Sequence, residues 1–339
     1  MKKSQTNNYN QSKRGSVKWP VIATIFVVLS IAIGFLCYLN RTIITDWFLS
    51  FNYHPTTDVI NVQNSLMLTP RGDLMFAATN PSLENRDDFN EDCKSHNQDI
   101  SILGCYGKGR IYIYDIKSDE LPGVIESTAA HELLHAAWAR MGNNEKNTIV
   151  DVLMEVYNNE KYHAELAEDL ETYGDHERIE ELHSRIGTQI ADLPETLEKH
   201  YAKIFKDQDY IVSFYDSYIT PFKELEAEID ALSSELEKLG AEIEQKTSDY
   251  TKAAEELSGQ IDEFNRCAST PNCFATDAGF YARRSQLVAK QSALEDVYGE
   301  LSDLVDHYNT LVAEYNDNII RGEALENAMN SNKETDKLN

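Results

Sequence analysis

His131 and His135 stand four residues apart in the run His131-Glu132-Leu133-Leu134-His135. On a helix, positions i and i+4 share a face, so both imidazoles can reach one zinc ion. Glu132, about 100° further round, can reach a water on that ion and act as its general base. With nine histidines in 339 residues and glutamate at roughly a tenth of positions, about 0.02 chance matches to this pattern are expected. The flanks agree with a buried helix, because Thr128 to Ala137 carries no charge except Glu132. With His131 at 0° on a helical wheel, His135 falls at about 40°, while Ala130, Leu133, Leu134, Ala137 and Met141 gather between about 200° and 300°. One face is apolar and the other chemical. The plainer reading is two histidines that decorate a surface helix.

A zinc site of this kind needs a third ligand, and Met141 stands where the H-E-x-x-H-x-x-G-x-x-H pattern would place another histidine. The segment from Asp175 to Gly187 reads as a helix through the stripe Ile179, Leu182, Ile186, Ile190. On the first helix the ligand face lies roughly 130° from the apolar face. On the second, Glu181 lies about 145° from the stripe, Glu180 about 115°, and His183 against the core. Glu181 is the best match, with Glu180 and His183 as the alternatives.

With these residues in place the chain resembles the zincin metallopeptidases over roughly residues 58 to 205, and more narrowly the minimal gluzincin type. Glu181-Leu-His-Ser184 is similar to the glutamate-helix segment of anchored bacterial zincin-like proteins, although the Asn-Glu-x-x-Ser-Asp form of thermolysin-type enzymes is absent. The resemblance implies Zn²⁺ held by His131, His135 and Glu181, and hydrolysis of peptide bonds with Glu132 as general base. Gly109 to Asp115 alternates β-branched and aromatic residues and reads as a strand. The resemblance implies that this strand lies at the sheet edge and pairs with extended substrate through Ile111, Tyr112, Ile113 and Tyr114. An ordinary sheet strand is the other reading. Tyr173, His176, His183 and His200 are candidates for an oxyanion donor, each with a structural role as its alternative. Trp47 and Trp138 read as packing residues.

The elements around this site begin with an uncharged run from Trp19 to Leu39, long enough as a helix to cross the roughly 30 Å hydrocarbon layer. Lys2, Lys3, Lys13, Arg14 and Lys18 precede it, which places residues 1–18 in the cytoplasm as a basic tail and the bulk of the chain outside. A cleaved signal peptide is the rival, but Cys37-Tyr38-Leu39-Asn40 offers no small-x-small cleavage site. Cys93 with Cys105, and Cys267 with Cys273, are local pairs that an oxidising compartment would close. The formal charge of −26 repels phosphate backbones and excludes nucleic acid as a partner.

Past the anchor, residues 41–215 are expected to form the α+β zincin-like domain, a small sheet plus the active-site helix. From 221 to 321 heptad patterns predict a long antiparallel coiled-coil hairpin, with its tip at 267–273 and each helix roughly 65 Å long. Thr220-Pro221 reads as the helix start, and 322–339 as a polar tail. The partners implied are a peptide or protein substrate, the lipid bilayer through residues 19–39, and a protein partner or second copy at the arm. The competing functional reading is a non-catalytic cell-envelope interaction protein, in which the arm does the work and the HELLH helix is structural.

Overall fold

The computed structural model describes residues 19–93, 102–167, 170 and 173–331. The expected tail over 1–18, the segment 332–339 and the side chain of His176 lie outside the described residues. Helix α1 (Trp19–Leu39) is apolar throughout, and its Ile22–Leu39 stretch is long and apolar enough to cross a membrane. Asn40 alone separates it from α2 (Arg41–Ser50).

The folded domain then runs through α3 (Thr57–Ser65), α4 (Pro70–Ala78), β1 (Ser82–Glu84), α5 (Arg86–Asp92), β2 (Gly104–Gly107) and β3 (Arg110–Tyr114). It continues through α6 (Val124–Arg140), α7 (Asn143–Tyr157), α8 (Glu160–Ala167), α9 (Asp175–Gln189) and α10 (Glu195–Tyr201). Helices α3 and α4 start on Thr56 and Thr69, whose hydroxyls accept from Val59 N and Gly72 N, satisfying amides that the helix itself leaves unpaired. The three strands form one sheet in the order β1-β3-β2, with β1 parallel and β2 antiparallel to β3. Lys108 and Gly109 both have positive φ, the conformation of a two-residue hairpin turn that matches strand twist.

This order corrects the placement of Ile111 to Tyr114. They lie on the central strand, hydrogen-bonded on both sides, so they have no free edge to offer a substrate. Both faces of β3 are also covered. Ile111 and Ile113 pack with Ala129, Leu133 and Leu134 of α6. Tyr112 and Tyr114 point the other way, to Phe89 of α5 and to Leu225 and Leu325. The alternation expected of a strand therefore serves two hydrophobic layers.

Leu225 and Leu325 belong to the two long helices α11 (Gln208–Ala268) and α12 (Asp277–Met329). Lys290–Glu256, Lys246–Glu300, His307–Glu235 and Asn318–Glu228 contacts show that they run antiparallel along their length. At 61 and 53 residues they measure about 90 and 80 Å, longer than the sequence indicates. Pro221 does not open a helix. Helix α11 begins at Gln208, where the Asp207 side chain accepts from Tyr210 N, and carries Pro221 in its interior. Ile211, Val212 and Tyr215 are buried there as α11 packs on α6 and α9, and this burial offsets the missing amide of the proline. The tail beyond 321 is likewise corrected as far as residue 331: α12 continues to Met329, Leu325 is buried, and the Ser331 hydroxyl donates to Ile102 O at 2.7 Å. Disulfides join Cys93 to Cys105 and Cys267 to Cys273. The first ties α5 to β2 and the second closes the tip of the hairpin.

Candidate metal centre

Helix α6 is apolar where it meets the sheet and turns His131 and His135 toward α9. Helix α9 enters with Ile179, Leu182 and Ile186 toward the core, which brings Glu180 and Glu181 to the facing side. The two helices come close because residue 187 has no side chain: a Cβ there would lie 2.6 Å from Tyr201 Cε1 and closer still to Leu134 Cδ1.

The result is a triangle of donor atoms. His135 Nε2 lies 3.2 Å from His131 Nε2 and 3.3 Å from Glu181 Oε2, and the third side, His131 Nε2 to Glu181 Oε2, is 3.6 Å. Among the described residues this is the group whose histidine, cysteine or carboxylate donors converge tightly enough to hold a metal ion. Donors in a tetrahedral zinc shell with bonds of about 2.0–2.1 Å are about 3.3–3.4 Å apart. The chemistry of the set also fits zinc, with two imidazole nitrogens and one carboxylate oxygen.

The surrounding contacts fix these donors. Glu180 Oε1 lies 3.2 Å from His135 Nδ1. A carboxylate can only accept here, so Nδ1 carries the proton and Nε2 keeps its lone pair for the triangle. Glu180 is thus the partner that orients a ligand, the arrangement that metal-binding histidines usually have. The other oxygen of Glu181 accepts from Arg185 Nε at 2.9 Å, one helical turn along. With no metal bound, burial would lower the pKa of His135, but the bonds to Glu180 and Glu181 and the charge of Glu132 outweigh it and push it up to about 10, so Nε2 then carries a proton of its own, which a metal would have to displace to use that lone pair. Burial would raise the Glu181 pKa, and the adjacent His131 and His135 instead hold it well below the usual carboxylate range.

Glu132 is buried on α6 beside β2. A Cβ on Gly104 would lie 2.8 Å from Glu132 Cγ and 3.0 Å from its Oε1, so the strand passes directly against the carboxylate. This edge strand, Gly-Cys-Tyr-Gly, gives almost no strand signal in sequence, and the contact was not foreseeable from it. Arg140, which closes α6, donates to Tyr106 of β2 at 3.2 Å and to Asp46 of α2 at 2.8 Å.

The remaining sequence candidates are placed elsewhere. His183 and His200 are buried and bonded to each other, Nε2 to Nε2, at 2.9 Å. Burial above all lowers both pKa values, that of His200 to about 4, so both rings are neutral. His183 packs against Trp138 and Tyr201, a core position that rules it out as third ligand. Tyr173 packs against the main core cluster. Trp138 is a packing residue as expected, whereas Trp47 is exposed.

Comparison of the chain with protein families, with curated proteins and with solved structures found no match. The local geometry therefore carries the functional reading by itself.

Proposed function

We propose that this chain is a membrane-anchored, zinc-dependent endopeptidase of the zincin type whose site lies outside the cytoplasm. The observation that supports it most directly is the triangle of His131 Nε2, His135 Nε2 and Glu181 Oε2, with sides of 3.2, 3.3 and 3.6 Å. Zinc bound there would supply Lewis acidity and a water acidic enough to yield a nucleophile near neutral pH. The chain's own residues do the rest. Glu132, desolvated beneath Gly104, takes the proton of the attacking water and passes it to the leaving amine. Glu180 holds the His135 ring and Arg185 holds the Glu181 carboxylate, so neither ligand has to reorganise during turnover. Extended substrate is received at β2, whose outer edge has no partner strand among the described residues, beside the general base. Helix α1 serves as the anchor, and the two disulfides fit an oxidising compartment.

The competing reading, an interaction protein acting through its hairpin, has support in the length and exposure of α11 and α12. Zinc content and the general base separate the two. The full-length chain, purified in detergent without chelators, is expected to hold one zinc and to cleave an unfolded protein. Glu132→Gln should keep the zinc and lose about 10²- to 10⁴-fold in rate. A chain that retains no zinc, and whose behaviour Glu132→Gln leaves unchanged, is not a peptidase.

A further inference from the structure

Helix α2 has two faces of opposite chemistry. Asp46 is 2% exposed and turned into the domain, where it forms an ion pair with Arg71 at 2.7 Å and accepts a hydrogen bond from Arg140 Nε at 2.8 Å. With Asp46 at 0° on a helical wheel, Trp47, Phe51 and Phe48 fall between about 100° and 200°. These three are 51, 59 and 61% exposed. Their rings meet one another, Trp47 lying 4.4 Å from Phe51 and 5.2 Å from Phe48 between centroids. A contiguous aromatic patch of this kind marks an interaction surface, where a single exposed ring would not.

Position in the chain selects what covers it. Asn40 joins α1 to α2 with its N–H bonded to Leu36 O at 3.1 Å and its carbonyl accepting from Ile44 N at 3.0 Å. The 28 residue steps from Trp19 to Trp47 give a helical contour of about 42 Å, against the roughly 40–45 Å of a bilayer with its headgroups. Tryptophan at both ends of such a length is the pattern of the aromatic belts at membrane–water interfaces. Arg41 lies between, its guanidinium 5.0 Å from the Tyr38 ring centre, placed to extend toward headgroup phosphates.

We propose that Trp47, Phe48 and Phe51 are seated in the headgroup boundary of the bilayer that α1 crosses, on the side that carries the folded domain. The proposal rests on the anchoring role of α1 and not on peptidase activity. It makes α2 a two-sided clamp. One side grips lipid, and on the other Asp46 grips Arg140 at the end of the helix that carries both histidines.

The test uses the full-length chain in phosphatidylcholine vesicles carrying a nitroxide either at the headgroup or deep on the acyl chain. In Trp19→Phe the remaining indoles are Trp47 and Trp138, and Trp138 is 2% exposed in the domain core. The headgroup nitroxide is expected to remove about half of the emission and the deep one little, since one of two indoles is at the boundary. The effect should vanish in Trp19→Phe/Trp47→Phe. Emission of Trp47 that neither nitroxide reduces but aqueous iodide quenches overturns the proposal, and so does stronger quenching by the deep label. The Trp47→Phe chain reports on the anchor separately, through Trp19. If lipid nitroxide reaches Trp19 while Trp47 stays in water, α1 is embedded and the seating of α2 alone is refuted. If Trp19 is also beyond reach, the anchor fails and the proposal fails with it.

Discussion

Replacing Gly187 with alanine tests the close approach on which the candidate centre depends. The added Cβ would lie 2.6 and 2.9 Å from Cε1 and Cζ of Tyr201, and nearer still to Leu134 Cδ1. Ordinary carbon–carbon contact begins near 3.5 Å, so α9 must part from Tyr201 by about 0.9 Å and from Leu134 by more. Neither neighbour yields easily. Both are fully buried, and the Tyr201 hydroxyl is tied to His183 O at 2.8 Å. The helices themselves must therefore separate, taking Glu181 away from His131 and His135. Overpacking of this size costs about 1–3 kcal/mol, and alanine in place of a helical glycine returns about 1 kcal/mol, so the net loss of stability is about 0–2 kcal/mol. Zinc binding has no such offset. A shift of about 0.9 Å is large beside the roughly 0.2 Å tolerance of metal–ligand distances, and affinity should fall by more than the roughly 10- to 100-fold that loss of an outer partner costs. Competition with a chromophoric chelator at pH 7 measures the affinity, and thermal melting of the zinc-free chain measures the stability. A Gly187→Ala chain that melts above the wild type and holds zinc equally well would falsify the packing described for α6 and α9.

Three further outcomes follow from the same geometry. Glu180→Gln, which weakens the acceptor on His135 Nδ1, should lower zinc affinity about 10- to 100-fold while leaving the melting temperature of the zinc-free chain nearly unchanged; unaltered affinity would remove Glu180 from the site. Gly104→Ala places a methyl 2.8 Å from Glu132 Cγ, and should reduce peptide turnover by about 10²-fold with zinc content intact, so full activity would separate β2 from the general base. His200 is held at about 4 in the folded chain, by burial first and then by Lys203. Its contribution is fully present above the unfolded value near 6.5 and is lost as pH falls toward 4, a change of about 3 kcal/mol. Denaturant unfolding across that window should show the slope, and His200→Gln should make it shallower by that amount, the buried His183 keeping its own share; parallel curves would refute the assignment.

The two helices of the candidate centre are legible in sequence because a 3.6-residue period fixes which side chains share a face. That period distinguishes Glu181 from His183, and both fall where it places them. It cannot show that Glu180 meets Nδ1 of His135, since this contact depends on how one helix lies against another. Strand β3 is legible for the same kind of reason, through the alternation of Ile111 to Tyr114. Its place in the sheet is not, because the neighbours that make it central are a three-residue strand and a glycine-flanked one with no periodicity of their own. Pro221 gives a local signal for a helix start that tertiary burial of Ile211, Val212 and Tyr215 overrides. Residues beyond 321 look polar, yet Leu325 and Ser331 find buried places that only the assembled domain offers.

The hairpin also has a mechanical meaning. Its first helix packs on α6 and α9 around Ile211 and, further along at Leu225, joins Leu325 of the second helix against the far side of the sheet. From there to the disulfide-closed tip the pair projects about 60 Å, against a held base of about 20 Å. That is a lever with a ratio of about three. A sideways load on the tip is therefore borne, multiplied, at that base, where α11 packs on α6 and α9.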